Sequence, residues 1–273
     1  MIYLSANDRN LGEHMDLRVV IRRMGKGRIF WLDEAVANSE YRSLVYKEID
    51  GLVPVVAGGG TLMPYFEPFW KGLPCDQKLW FVGTGVCLGH GQSASWLPGE
   101  NQVDLRSRFR GPVAPGVFED QDFLPPPGLL FRVPRYQGKY VLSVVHPDLI
   151  DAGWQYILAE KVARKLGLGV VQCENQLEDR SRYSEAELVI TSRLHGAVMA
   201  AGNGIRCFAL SRDRKMDWFC SSAKVACVVI DDCHPDIVPD DLVSLASSAE
   251  VPSARELEAR LGKYFDQYSV RFQ

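Results

Sequence analysis

The sequence predicts an α/β protein made of two Rossmann-like parallel-sheet domains, and three observations predict it. Short β-branched or apolar runs alternate along the chain with stretches of helical period. Several of these runs end directly in glycine, as a strand does when it turns into a helix at the carboxyl edge of a parallel sheet. Four prolines crowd the stretch from Phe123 to Arg135, at 125, 126, 127 and 134, where they fix φ and remove backbone donors. That stretch reads as the connection between a first domain, residues 1–124, and a second, residues 137–273.

In the first domain, Ile2 to Ser5 reads as a strand. Gly12 to Met24 reads as a helix, with Met15, Val19, Val20 and Met24 near one stripe. Ile29 to Leu32 is a second strand, and Leu52 to Ala57 and Leu79 to Val82 are buried strands that run into glycine. After the prolines come strand Tyr140 to Val145, helix Trp154 to Leu166 and strand Gly169 to Gln172. The stretch Leu188 to Leu210 is the clearest βαβ unit: a strand to Thr191, a polar turn Ser192 to Gly196, a small-residue helix to Gly202 and a strand Cys207 to Leu210. Strand Val225 to Ile230 follows. Ser253-Ala254-Arg255-Glu256 has the form of a capping box opening a last helix over 253–270, one able to pack back on the first domain. Two such domains facing across a cleft resemble a GT-B-like architecture.

Composition narrows the class. The 273 residues are 47% hydrophobic and 24% charged, with a net charge of -3, an ordinary globular balance that carries no nucleic-acid signal. No apolar run approaches the roughly 18 residues of a membrane-spanning helix, and the N-terminal run is too short for a signal peptide, so a cytoplasmic protein is expected. Seven cysteines without a Cys-x-x-Cys pair argue against a disulfide framework and a zinc ribbon, and no metal is expected. Cys227, Cys233 and His234 have no common ligand spacing. Arg18, Arg22, Arg23, Lys26 and Arg28 lie along and past the first helix, where they interact favourably with its negative end or attract an anionic membrane surface.

The turn after Thr191 falls at the carboxyl edge of the second sheet and opens the next helix. Its unpaired N–H groups and positive dipole end favour an anion, to which Arg193 adds a fixed cation and His195 a titratable imidazole. The plainer reading is that His195 packs the helix start while Arg193 pairs with a surface carboxylate. Gly58, Gly59 and Gly60 let the backbone approach a ligand closely, with Thr61 able to cap the next helix; Gly83 and Gly85 do the same without completing a dinucleotide fingerprint.

Residues Val189 to Gly204 resemble the signature of the polysaccharide pyruvyl transferase family, a Ser-Arg/Ser-Leu-His-Gly turn followed by a small-residue helix. Asn10-Leu11-Gly12-Glu13-His14 is similar to that family's early Asn-x-Gly-Asp element, and Ala57-Gly58-Gly59-Gly60 to its Gly-rich turn. Val82-Gly83-Thr84-Gly85 and Arg110-Gly111-Pro112 match two later elements in order. Three departures stand out. Glu13 replaces the usual shorter acid, Pro125-Pro126-Pro127-Gly128 lacks an Asp common before the second domain, and Gly204-Ile205-Arg206 lacks a common Pro.

The resemblance implies transfer of pyruvate from phosphoenolpyruvate onto two hydroxyls of a sugar in an exopolysaccharide or its lipid-linked repeat unit, with no cofactor beyond the donor. On this reading His195 is the general acid/base, Arg193 grips the donor's anionic groups and Glu13 accepts a hydroxyl proton. Ser192, Leu194, Gly196, Asn10, Gly12, His14, Gly58, Gly59, Gly60, Gly83, Gly85, Arg110, His146 and Lys215 complete the expected substrate contacts, with Lys215 closing over the donor phosphate from a charged loop. A GT-B glycosyltransferase using a nucleotide sugar, or a non-catalytic carbohydrate-binding relative, would share the fold.

Overall fold

A computed structural model describes residues 1–50, 55–85, 97–109, 123–146, 152–211, 214–230 and 238–268. It divides the chain into two compact units, one of Met1–Arg9, Glu13–Pro127 and Ala259–Gln273, the other of Asn10–Gly12 and Gly128–Glu258. Each unit is an α/β sandwich with a five-stranded, fully parallel sheet.

In the first unit, β1 (Ile2–Ser5), β2 (Arg28–Trp31), β3 (Val55–Gly58), β4 (Leu79–Thr84) and β5 (Arg108–Phe109) lie in the order β2-β1-β3-β4-β5. Their side chains are apolar on both faces because helices cover both, and Val55, Ala57, Leu79 and Phe81 are wholly buried. α1 (Leu11–Met24) buries the stripe that its sequence marks, Met15, Val19, Val20 and Met24. α2 (Leu32–Ala37) and α3 (Ser39–Ile49) have no counterpart in the sequence reading. A side-chain cap starts α3: the Asn38 Oδ1 accepts from the Glu40 and Tyr41 N–H groups at 2.9 and 3.1 Å. α4 (Glu67–Trp70) is a single turn.

In the second unit, β6 (Tyr140–Val144), β7 (Gly169–Cys173), β8 (Ala186–Thr191), β9 (Arg206–Ser211) and β10 (Ala226–Val229) lie in the order β10-β9-β8-β6-β7. α5 (Ala152–Leu166) connects β6 to the edge strand β7, and α6 (Leu194–Gly202) connects β8 to β9. α7 (Arg214–Ala223) begins inside the charged run that the sequence reading leaves as a loop, so Lys215 belongs to the first turn of a helix. α8 (Asp240–Ser247) is held at its end by Arg206, whose Nε donates to the Ala249 carbonyl at 2.9 Å and whose Nη2 reaches the Ser247 carbonyl, which gives that departure a structural role.

α9 (Arg255–Tyr268) starts two residues after Ser253, whose N–H instead bonds the Ala223 carbonyl, so the expected Ser253 cap does not form. Part of this helix, from Ala259, belongs to the first unit. There the Tyr264 hydroxyl donates to the Arg106 carbonyl at 2.9 Å and accepts from the Trp80 Nε1 at 2.7 Å. Among the described residues, no helix is long and apolar enough to cross a membrane.

Candidate active site

Both sheets have the strand order second-first-third-fourth-fifth, and in each the order reverses direction between the first and third strands. At that point the connections leave on opposite faces and open a crevice beyond the carboxyl ends, where ligands of open α/β sheets bind. In the second unit the crevice lies between β6 and β8. His146 follows the first of these strands and Ser192 to Gly196 the other.

The second crevice is built from backbone and side chain together. The Thr191 Oγ1 accepts from the Arg193 N–H at 2.9 Å and donates to the Arg193 carbonyl at 3.0 Å, folding the polar turn back on the end of β8. A Cβ at Gly196 would lie 2.3 Å from that same hydroxyl oxygen, so the turn requires glycine there. The Arg193 guanidinium reaches the Glu174 carbonyl beyond β7, and the Ser192 N–H donates to the Val144 carbonyl at 3.2 Å. Gln155 of α5, which the sequence reading missed, donates to the Val144 and Ile190 carbonyls, both at 3.1 Å, and fixes the spacing of the two strands.

The segment Asn10–Gly12 lies against this site. Its Leu11 N–H donates to the Asn175 carbonyl at 3.0 Å, and Asn10 bridges Gln176. The Asn10 Oδ1 caps α1 by accepting from the Gly12 N–H at 2.8 Å. A Cβ at Gly12 would lie 2.1 Å from the His195 Nδ1, so glycine is what lets the backbone pack on the imidazole. That contact leaves His195 only 9% exposed.

Asn175 is a further residue of this site that no sequence signal marks. It has φ 61 without being glycine, is 1% exposed, and accepts the Tyr183 hydroxyl on Oδ1 at 2.7 Å. Among the described residues its Nδ2 has no partner, nor has the buried Ser192 Oγ. An unmet buried polar group costs about 1–3 kcal/mol, so two of them beside one anion seat mark a place that a polar ligand completes.

The crevice of the first unit lies between β1 and β3. Glu13, 6% exposed, accepts the Gly60 N–H on Oε1 at 2.9 Å, while its Oε2 has no partner. Gly59 has φ +64, and a Cβ there would lie 1.8 Å from that oxygen. Thr61 caps nothing; its buried hydroxyl also lacks a partner. Gly58 has ordinary space around it, whereas Gly83, on the adjacent strand, has φ +60, and a Cβ there would lie 2.5 Å from the Pro127 Cδ. The Gly85 N–H ties the two glycine turns together through the Gly59 carbonyl at 2.9 Å.

His14 is engaged elsewhere: its Nε2 meets the Asp8 carbonyl and its ring lies 5.2 Å from that of Trp31. Leu194 is half-buried in the first turn of α6. Arg110, Cys233 and His234 lie outside the described residues. Among the described residues, no group of three or more potential ligands could hold a metal ion.

Residues 143–214, from β6 through α6 to the start of α7, match the family model for polysaccharide pyruvyl transferase. Over that segment the chain is similar to the polysaccharide pyruvyl transferase family. The matched segment contains the carboxyl end of β6 and all of β8, together with Arg193 and His195. No curated protein matches the chain. Among solved structures, a functionally uncharacterized protein of Klebsiella pneumoniae is similar at 14% identity, covering 81% of this chain and 87% of its own, with a TM-score of 0.45. A periplasmic ribose ABC transporter from Conexibacter woesei is similar at 10% identity over 78% of this chain and 73% of its own, with a TM-score of 0.27.

Proposed function

We propose that this protein is a transferase that moves pyruvate from phosphoenolpyruvate onto two hydroxyls of a sugar, forming a cyclic ketal and releasing phosphate. The observation that carries the reading is that the family match covers the second crevice, where a helix N-terminus, Arg193 and His195 share one turn. Phosphoenolpyruvate carries a carboxylate and a phosphate on one carbon. Such a donor suits a guanidinium beside the positive dipole end of a helix.

His195 delivers a proton to the enol methylene, and positive charge develops on the carbon that bears the phosphate. One sugar hydroxyl attacks that carbon, phosphate leaves, and the second hydroxyl closes the ring. Of the two hydroxyl protons released, one balances the proton now in the methyl group and the other departs with phosphate. Glu13, whose Oε2 is buried and unpartnered, takes a hydroxyl proton. The Ser192 hydroxyl and the Asn175 amide supply further polar contacts. His146, just after β6, and Lys215, in the first turn of α7, are the remaining donor contacts of this reading.

The acceptor of this reading is a lipid-linked repeat unit at a cytoplasmic membrane surface. Arg18, Arg22 and Arg23 are exposed on α1 in support of that attachment, while Arg28 pairs with Glu48.

A thermal-shift titration tests the donor. Phosphoenolpyruvate should raise the melting temperature beyond inorganic phosphate, and Arg193→Ala should abolish the excess. Stabilisation by a nucleotide sugar alone would overturn the reading in favour of glycosyl transfer.

A further inference from the structure

Within the first unit a second cavity, of about 450 Å³, opens between α9 and the end of β5. One wall is a single face of the helix, on which Arg260, Lys263, Tyr264, Gln267 and Tyr268 recur at helical spacing. The opposite wall is Arg108 with Phe123 and Leu124. Its size is that of a small-molecule site.

Among the described residues, three cations line this cavity and no carboxylate does. None of the three forms an ion pair among the described residues, whereas Arg106 next door pairs with Asp104 through two hydrogen bonds of 2.7 Å. Arg260 and Lys263 are three apart on the helix, where like charges repel. Such an arrangement costs stability unless an anion fills it.

The rest of the lining selects what the anion is attached to. The Tyr264 hydroxyl is committed to Trp80 and the Arg106 carbonyl, so this residue offers only ring surface to the cavity. Tyr268 packs edge-on against it at 5.0 Å and extends that aromatic wall. Gln267 is exposed beside them, with an amide that can both donate to and accept from hydroxyls. Arg108 donates to the Leu105 and Ser107 carbonyls through Nη1, which holds its guanidinium in place with the other nitrogens available.

We propose that this cavity binds an anionic sugar, a pyranose bearing a phosphate or a carboxylate, at a place separate from the β6–β8 crevice. The cations take the charged group, the tyrosine rings the apolar face of the pyranose, and Gln267 its hydroxyls.

Isothermal titration calorimetry on the full chain tests this with glucose 1-phosphate, glucuronate, glucose and inorganic phosphate. Glucose 1-phosphate or glucuronate should bind at least about tenfold more tightly than glucose or phosphate, and which of the two binds identifies the anion. Arg260→Glu with Lys263→Glu should weaken that binding by about tenfold or more, and Arg193→Ala should leave it unchanged. Both replaced side chains are exposed, and Arg260→Gln with Lys263→Gln provides a milder pair should the reversal disturb the helix. Equal affinity for inorganic phosphate, no binding at all, or binding unchanged in a folded double variant would each overturn the proposal.

Discussion

At the scale of single residues, the two crevices depend on side chains that differ in what they leave unsatisfied. His195 is enclosed by the Gly12 backbone, and its removal should leave the sheet intact while lowering kcat by about 10²–10⁴, the range of positioned acid–base catalysis. Steady-state kinetics beside circular dichroism would separate that loss from unfolding. Gly12→Ala acts on the same group from the other side. A methyl 2.1 Å from the Nδ1 must displace the ring, so turnover should fall while far-ultraviolet dichroism is kept. Glu13 holds the Gly60 N–H with one oxygen and has the other free of partners. Glu13→Gln preserves an acceptor for Gly60 but cannot take a proton. We expect a folded protein with turnover lowered by about a hundredfold or more, and unchanged kinetics would reduce Glu13 to ordering the loop.

At the scale of elements, the glycine turn after β3 is not uniform. Gly58→Ala should change stability by less than about 0.5 kcal/mol, because the nearest atom to the added carbon is 3.7 Å away. Gly59→Ala meets both a left-handed backbone and the Glu13 carboxylate, and should cost about 1–3 kcal/mol or more. Urea denaturation of the pair measures the contrast directly. The sequence marks three adjacent glycines alike; only the fold shows which of them is required. Similarly, Ser192-Arg193-Leu194-His195-Gly196 is legible as a strand-to-helix turn, but the reason for Gly196 lies in Thr191, whose hydroxyl occupies the space a side chain would need.

At the scale of the whole molecule, buried phenols set an alkaline limit on stability. Burial pushes the Tyr3 phenol, which donates to the Gly25 carbonyl, up to about 12, and burial also raises Tyr264 on the buried face of α9. Both are held neutral in the fold and ionise near 10 when unfolded. Their contribution is therefore complete below about pH 10 and lost as pH climbs through the folded values. Melting temperature against pH should stay level to about 10 and then decline, and Tyr3→Phe should flatten the first part of that decline. A curve that falls as steeply in Tyr3→Phe would assign the limit to other groups.

The order of strands and helices, the stripe of α1, and the βαβ unit around Arg193 and His195 were readable from the chain alone, because periodicity and strand-end glycines are local properties. So was the resemblance to the polysaccharide pyruvyl transferase family, since the motif over Val189 to Gly204 is contiguous and lies within the matched segment. α2, α3, α7 and α8 escaped that reading because polar caps and charged first turns look like loops until a sheet is present for them to cover. Asn175 and Gln155 escaped it for a different reason. Their roles come from neighbours distant in sequence: Leu11 and Tyr183 around one, the carbonyls of Val144 and Ile190 around the other. Sequence determines which segments become strands and helices through short-range periodicity and turn chemistry; only the packed structure decides which polar atoms find partners, because burial and hydrogen bonding are settled between segments far apart along the chain.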